Sequence, residues 1–190
     1  DERGRLLDAC DRSTAWPDLG LFVRLALATG ARRGELLKLE WRDVDLKGGS
    51  ILLRETKNGD DRRVPLLGDV RALLIDRTKV RKLDDPRLFP AAKVHTRPPL
   101  DKAWIQAKQD ASIENLRIHA LRQSFASLAV HAGATLYQVQ HLLGHASPQT
   151  TQRYAHLSDE ALREASGAVG NVVKQVTGRQ EQPATEPSLD

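Results

Sequence analysis

The sequence lacks several features that would define whole classes of protein. Its 190 residues include no methionine, one cysteine (Cys10) and few aromatic residues. A single cysteine excludes an internal disulfide framework, so Cys10 is expected to be a small packing residue in a reducing compartment. No apolar run approaches the roughly 18 to 20 residues of a membrane span, and no basic-then-apolar leader opens the chain. These absences predict a soluble, cytoplasmic protein with no membrane partner, and the absence of methionine predicts a piece of a longer chain.

Cofactor motifs are also missing. The chain has no GxxxxGK[ST] phosphate loop and no GxGxxG stretch after a strand. His141 and His145 are four residues apart, but Gly144 breaks the helix between them and no third ligand lies nearby in the sequence. The prediction is therefore that the protein uses neither a metal nor a nucleotide cofactor.

The net charge is +4, and the positive charge is concentrated before Asp159. A basic body suits a polyanionic partner such as DNA. A charged surface that is merely solvated would give the same balance, so charge alone does not decide between the two.

Hydrophobic periodicity predicts a mainly α fold with a small antiparallel β-sheet. Two β-prone runs flank Asn58-Gly59, which is a strong hairpin signal. The stretch EWRDVDL, residues 40–46, is expected to be a loop. Helices are predicted at 2–12, 18–29, from about 32, 69–82, 99–111, 118–132, 136–143 and 148–155.

The sequence also predicts how the chain is divided. Residues 1–157 are expected to form one folded domain. Residues 158–176 carry an apolar stripe at helical spacing, which has to dock on another surface. Residues 177–190 have very few apolar side chains and are expected to be a disordered tail.

Arg32 follows the glycine break that ends the second helix and opens the next one. Free backbone N–H groups and the helix dipole favour an anion at such a place, and a guanidinium suits phosphate. Alternatively, Arg32 or Arg33 forms a surface ion pair with Glu35, which is worth little energy. Glu35 could also brace Arg32 from behind.

The helix predicted at 118–132 carries two further candidates, His119 and Arg122. Its expected buried stripe consists of Ile118, Leu121, Phe125, Leu128, Ala129 and Ala132. Helical geometry places Arg122 about 70° from the centre of that stripe and His119 farther out. Both would line one edge of the core, and the alternative, favoured for an isolated pair, is an arginine that lays its stem along the core edge beside a solvated histidine.

Lys57 would lie at the hairpin tip, from which it could reach a neighbouring groove or remain solvated. Together with Arg32, His119, Arg122 and His145 it would supply the cations and donors that a phosphodiester transition state needs in the absence of a metal. Tyr154 would then be the nucleophile, and its phenol would need a base and cations nearby to lose its proton. Tyr137, the other tyrosine, is expected to be a packing residue.

The chain resembles the tyrosine recombinase (phage integrase) family over about residues 15–160. The matching stretches occur in the family's order: TGARRGELLKLEWRDVDL, TKNGDDRRVPL, HALRQSFASLAVHAGATLYQVQHLLGH and SPQTTQRYAH. The sequence departs from the family at Ala120, where an acidic residue is common, and at Gln123, where a second histidine is frequent. Neither is a catalytic position.

The resemblance implies a role for each candidate. Arg32 and Arg122 would grip the scissile phosphate, supported by Glu35, and His145 would add a hydrogen bond. Tyr154 would attack the phosphorus to give a 3′-phosphotyrosyl link. Lys57 would protonate the leaving 5′-oxygen and His119 would act beside the tyrosine.

The resemblance also implies partners: double-stranded DNA, accessory DNA-bending proteins, and copies of the same chain, which would be monomeric in isolation and form a homotetramer on DNA. The implied setting is integration or excision of a bacterial phage or mobile element. An N-terminal DNA-binding domain would be absent from this chain. Two alternatives remain open, namely relaxation of DNA by a type IB topoisomerase and an inactive DNA-binding module.

Overall fold

The structure of the protein is a computed structural model that describes residues 2–54, 61–66, 68–81, 84–90 and 98–157. These residues form eight α-helices, one 3₁₀ turn and three strands. In chain order the elements are α1 (Glu2–Asp11), α2 (Leu19–Thr29), α3 (Arg33–Leu37), the 3₁₀ turn Trp41–Asp43, β1 (Val44–Asp45), β2 (Ser50–Leu53), β3 (Arg62–Pro65), α4 (Asp69–Thr78), α5 (Leu100–Asp110), α6 (Ala120–His131), α7 (Leu136–Leu143) and α8 (Pro148–Gln152).

The three strands form an antiparallel sheet in the order β1-β2-β3. Ile51 in β2 pairs with Val44 on one side and with Val64 on the other. The predicted hairpin pairing is confirmed, whereas the Asn58-Gly59 turn lies outside the described residues. The expectation of a loop at 40–46 was wrong, because Val44–Asp45 adds a third strand whose pairing is decided across the sheet rather than locally.

Helix α2 lies at the centre of the fold and contacts α1, α4, α5 and α6. The rings of Trp16, Phe22 and Phe89 pack against one another with centroids 5.4–5.6 Å apart. Cys10 is fully buried beside this core, as expected for a packing residue. None of the described helices has the length and hydropathy that a transmembrane span requires.

A second, smaller cluster joins α6, α7 and the segment after α8. The capping box predicted for α7 is present: the Thr135 hydroxyl accepts a hydrogen bond from the backbone N–H of Gln138 (3.2 Å), and the Gln138 side chain accepts one from the backbone N–H of Thr135 (2.8 Å). Gly144 ends α7 in the left-handed region, at φ 62°.

Helix α8 is shorter than predicted. It was expected to run to residue 155 but ends at Gln152, so that Tyr154 lies in the turn that follows. Ser147 precedes the helix and Pro148 opens it, yet the Ser147 hydroxyl contacts the Gln149 side chain rather than capping the backbone. A helix of five residues makes few hydrogen bonds of its own, so contacts with the rest of the fold hold Tyr154 in place.

Candidate active site

Arg122 is a buried residue of α6, with 4% of its surface exposed. Its guanidinium donates from Nη1 to the carbonyl oxygen of Gly30 and from Nη2 to that of Leu143, both at 2.6 Å. These carbonyls lie at the C-terminal ends of α2 and α7, where backbone oxygens lack helical partners and carry partial negative charge. The buried guanidinium is therefore stabilised by backbone carbonyl oxygens at the ends of two helices.

The predicted buried face of α6 is only partly confirmed: Leu121 is buried and Phe125 and Ala129 are partly buried, as expected. Arg122 lies on the buried face with Ala126 and Val130, while Leu128, expected in the core, is 45% exposed. Hydrophobic periodicity assigned the arginine to the edge of the core because it treats a cation as polar. An arginine can occupy a core position when fixed carbonyl oxygens accept hydrogen bonds from its guanidinium, as those of Gly30 and Leu143 do here.

Arg32 and Arg62 share one carboxylate. Glu35, which is buried, accepts hydrogen bonds from the backbone N–H of Arg32 (2.8 Å) and from Arg32 Nη1 (2.7 Å). It also accepts from Arg62 Nη1 (3.2 Å) and Nη2 (2.8 Å). Burial alone would raise the pKa of Glu35, but these donors hold it below its ordinary value. Glu35 thus braces Arg32, whereas Arg33 pairs with Asp101.

Arg62 was not among the residues predicted from the sequence. Its side chain is 10% exposed and lies against Gly144, where a Cβ atom would come within 3.0 Å of Arg62 Nη1. Alternation along β3 could have found it: Val64 is buried and residues two apart share a face of a strand. That pattern directs Arg62 inward.

The charges around Arg122 do not cancel, because Glu35 is one carboxylate against the three guanidinium groups of Arg32, Arg62 and Arg122. Burial, followed by the charges of Arg32 and Arg62, lowers the pKa of Arg122 to about 10. The guanidinium therefore stays protonated at neutral pH. A buried excess of positive charge favours an incoming anion.

His145 follows Gly144 and belongs to the same cluster of charges. Its Nδ1 lies 2.8 Å from the hydroxyl oxygen of Thr151, which is 2% exposed. Burial, followed by the charges of Arg122 and Arg32, lowers the pKa of His145 to about 4. The imidazole is neutral at pH 7 and carries a single N–H.

Tyr154 is 7% exposed and packs in the second cluster with Val139 and Leu143. Burial raises the pKa of its phenol, while the positive charges of Arg153 and Arg122 act in the opposite direction. The phenol is therefore protonated at neutral pH in this state. Tyr154 belongs to the same cluster as Leu143, whose carbonyl oxygen accepts a hydrogen bond from Arg122.

Tyr137 was expected to be a packing residue, and this was wrong. It is 69% exposed on α7, and its ring meets that of His141 edge-on at 4.4 Å between centroids. Residues of α7 that face the core are Val139 and Leu143. Tyr137 lies on the opposite, solvent-facing side, away from the cluster that holds Tyr154.

His119 immediately precedes α6, and the residue is exposed at the rim of the cluster. Partial desolvation, followed by the charges of Arg122, Arg153 and Arg32, lowers its pKa below 6.5. The same cations thus act on His119 and His145. Lys57, the remaining candidate, lies outside the described residues.

Side chains that could bind a metal ion do not cluster in the described parts of the chain. No three His, Cys, Asp or Glu side chains lie close enough there to hold an ion. Arg32, Arg122, the uncharged His145 and Tyr154 form a site that offers donors for an oxyanion and an oxygen nucleophile.

Comparisons with known proteins place this geometry in a family. The family model described as "Phage integrase family" matches residues 1–161. Tyrosine recombinase XerA of Saccharolobus solfataricus is 36% identical over 159 residues, which are 84% of this chain and 51% of that protein. The chain spans about half the length of the curated relatives it matches.

Solved structures agree with this result. The catalytic domain of bacteriophage HP1 integrase superposes with a TM-score of 0.67 at 31% identity, covering 87% of this chain and 90% of that one. XerH site-specific recombinase bound to palindromic difH substrate, in a post-cleavage complex, gives 0.66 at 27% identity and covers 87% of this chain and 50% of that one. The predicted fold class, mainly helical with a small antiparallel sheet, is confirmed, and the chain belongs to the phage integrase family.

Proposed function

We propose that this chain is the catalytic domain of a site-specific DNA recombinase, which cleaves and rejoins DNA strands through a covalent 3′-phosphotyrosyl intermediate. Arg32 and Arg122 bind the non-bridging oxygens of the scissile phosphate, His145 donates a further hydrogen bond, and Tyr154 is the nucleophile. Glu35 holds Arg32 in place. The substrate is double-stranded DNA.

The observation that carries the proposal is the convergence of these groups from distant parts of the chain. Arg122 bonds to Gly30, 92 residues earlier, and to Leu143, 21 residues later. Arg32 Nη2 lies 3.5 Å from the carbonyl oxygen of Gly144, the residue before His145. Arg32, Arg122 and the residue before His145 thus meet at the ends of α2 and α7, and Tyr154 lies in the cluster that contains Leu143, which supports one shared site.

The chemistry requires the pocket to stabilise negative charge and to move two protons. The Tyr154 phenol loses its proton as its oxygen attacks phosphorus, and the bond from phosphorus to the 5′-oxygen breaks. We assign the acceptance of that proton to His119: burial and the neighbouring arginines lower its pKa, which favours the uncharged ring, and an uncharged ring has a lone pair that can take a proton. Lys57 supplies a proton to the leaving 5′-oxygen. The phosphotyrosyl ester keeps the energy of the broken bond, so rejoining needs no nucleotide.

Assembly and context follow from the same proposal. The family relationship supports a homotetramer on two DNA sites, with residues 158–176 docking on a neighbouring subunit and DNA-bending proteins as accessory factors. The XerH structure, solved with its difH substrate after cleavage, supports a nucleic-acid substrate for the shared domain. The reaction would take place on cytoplasmic DNA, in the integration or excision of a mobile element.

A covalent adduct tests the proposal directly. The chain, and any longer protein that contains it, is incubated with a labelled pool of nicked duplexes of randomised sequence, and adducts are detected as species that resist SDS. Tyr154→Phe should abolish the adduct and leave DNA binding within about twofold, because only the nucleophilic oxygen is removed.

Tyr137→Phe is the matched control, since Tyr137 is exposed on α7 away from the cluster, and it should form the adduct at the wild-type rate. An adduct that persists in Tyr154→Phe would reassign the nucleophile. Binding without any adduct in the wild type would instead favour a DNA-binding module.

A further inference from the structure

We propose that Thr151 is a positioning residue for strand cleavage, whose hydroxyl donates a hydrogen bond to Nδ1 of His145 and so keeps the ring proton on Nε2. The proposal rests on the function proposed above, in which His145 donates to the scissile phosphate. It goes beyond that function because it assigns the tautomer of the histidine to one buried hydroxyl.

The geometry leaves Nε2 as the nitrogen of His145 available to a phosphate. Nδ1 lies 2.8 Å from Thr151 Oγ1, a distance typical of a short hydrogen bond. Thr151 is 2% exposed, and a buried hydroxyl without a partner would be costly. The contact is therefore a stable feature of the pocket, and it occupies the Nδ1 side of the ring.

The direction of this hydrogen bond decides what His145 can do. The ring is neutral at pH 7, because burial and the charges of Arg122, Arg32, Arg153 and Arg62 lower its pKa to about 4. A neutral imidazole has one N–H and one lone pair. If Nδ1–H donated to Thr151, Nε2 would present its lone pair to the phosphate oxygen and repel it. Donation to the phosphate requires that Thr151 donate to Nδ1.

Thr151 also contacts the segment that carries the nucleophile. Its carbonyl oxygen accepts a hydrogen bond of 3.0 Å from the backbone N–H of Tyr154. One buried residue thus sets the protonated nitrogen of His145 through its side chain and anchors the turn at Tyr154 through its backbone. The hydroxyl can be removed while the backbone contact remains, which makes its role separable.

The tautomer can be measured without DNA. Nitrogen-15 spectra of the chain labelled at histidine distinguish a protonated ring nitrogen from one with a lone pair. For the wild type at pH 7 we expect the proton of His145 on Nε2. Thr151→Val, which keeps the shape but removes the hydroxyl, should move a measurable population of the proton to Nδ1, and Thr151→Ser should restore the wild-type spectrum.

Thr150→Val is the matched control, because it makes the same change one residue earlier in α8, and it should leave the His145 signals unchanged. A wild-type ring protonated on Nδ1 would overturn the proposal, and this result needs no variant to fold. An unchanged tautomer in a folded Thr151→Val would overturn it as well.

Adduct formation on the nicked duplex pool provides the second readout. Thr151→Val should lower its rate about tenfold, as expected when the group that orients a functional histidine is lost, and Thr151→Ser should recover most of the rate. Equal rates in the wild type and Thr151→Val would reject the positioning role. No adduct from the wild type, with its proton on Nε2, would reject the proposed function while leaving the assignment of the tautomer intact.

Discussion

Replacing Glu35 by glutamine should destabilise the fold and alter its response to acid. The carboxylate accepts four hydrogen bonds, two from Arg32 and two from Arg62. A glutamine side chain keeps one carbonyl oxygen but turns an NH₂ group towards a guanidinium, so about two charge-assisted bonds are lost. The two arginines would then face each other without the charge between them.

The magnitude follows from these losses. Hydrogen bonds to charged groups are worth about 1.5–3 kcal/mol each. Relief of the cost of burying a carboxylate offsets part of this, so Glu35→Gln should lower the free energy of unfolding by about 2–3 kcal/mol. With a urea m-value of about 2 kcal/mol per molar, the midpoint should fall by about 1 M. Urea titration followed by circular dichroism measures it.

Acid provides a second signature. The pKa of Glu35 is held below its ordinary 4.5 in the folded chain. The stabilisation that the carboxylate contributes is therefore fully present above pH 4.5, and it is lost as the pH falls through the pKa of the folded state. The difference in the free energy of unfolding between the wild type and Glu35→Gln should therefore become smaller below about pH 4.5. Glu114→Gln, at an exposed glutamate after α5, should change little. A loss under 0.5 kcal/mol for Glu35→Gln at neutral pH would refute the role assigned to the shared carboxylate.

Three further predictions concern the same pocket. Gly30→Ala places a Cβ 2.5 Å from Phe125 Cδ1 and 2.6 Å from Leu143 Cδ2 at a residue with φ +61°, so it should cost about 3 kcal/mol by urea titration; a neutral result would contradict the close approach. The folded chain resists protonation of His145 down to about pH 4, whereas its ordinary pKa is 6.5. Lowering the pH from 7 to 5 should therefore reduce the free energy of unfolding of the wild type by about 1 kcal/mol more than that of His145→Gln, after allowance for solvent screening. Equal reductions in urea titrations would refute the lowered pKa of His145. Arg122→Lys cannot bond to both carbonyl oxygens and also grip a phosphate, so adduct formation should fall about 10²-fold in a variant whose folding is checked by circular dichroism; a rate near wild type would argue against contact with the phosphate.

Local chemistry explains which parts of the fold were predictable from the sequence. Gly30 and Gly144 end their helices in the left-handed region, and the box formed by Thr135 and Gln138 starts α7. Such signals depend on a few adjacent residues, so the sequence alone contains them. Strand β1 could not be found in this way, because two residues acquire a strand conformation only by pairing with β2.

In the candidate site, too, the contacts between residues close in sequence were predictable and those between distant residues were not. Arg32 and its brace Glu35 are three residues apart, and their pairing was foreseen as one of two options. The burial of Arg122 depends on carbonyls 92 and 21 residues away, for which no local pattern exists. The contact of Thr151 with His145 spans six residues and crosses Pro148, which opens α8, so it too follows from the tertiary fold.

The partners of Arg122 explain how a buried cation can remain available to an anion. A carboxylate that neutralised this arginine would cancel the charge needed to attract a phosphate. The carbonyls of Gly30 and Leu143 fix the guanidinium through partial charges only, so its full charge is retained. Arg32 has a carboxylate partner, but Glu35 is shared with Arg62, and positive charge again remains in excess. Burial, followed by the repulsion among these positive charges, lowers the pKa values of Arg122 and His145, and a bound phosphodiester would relieve the repulsion.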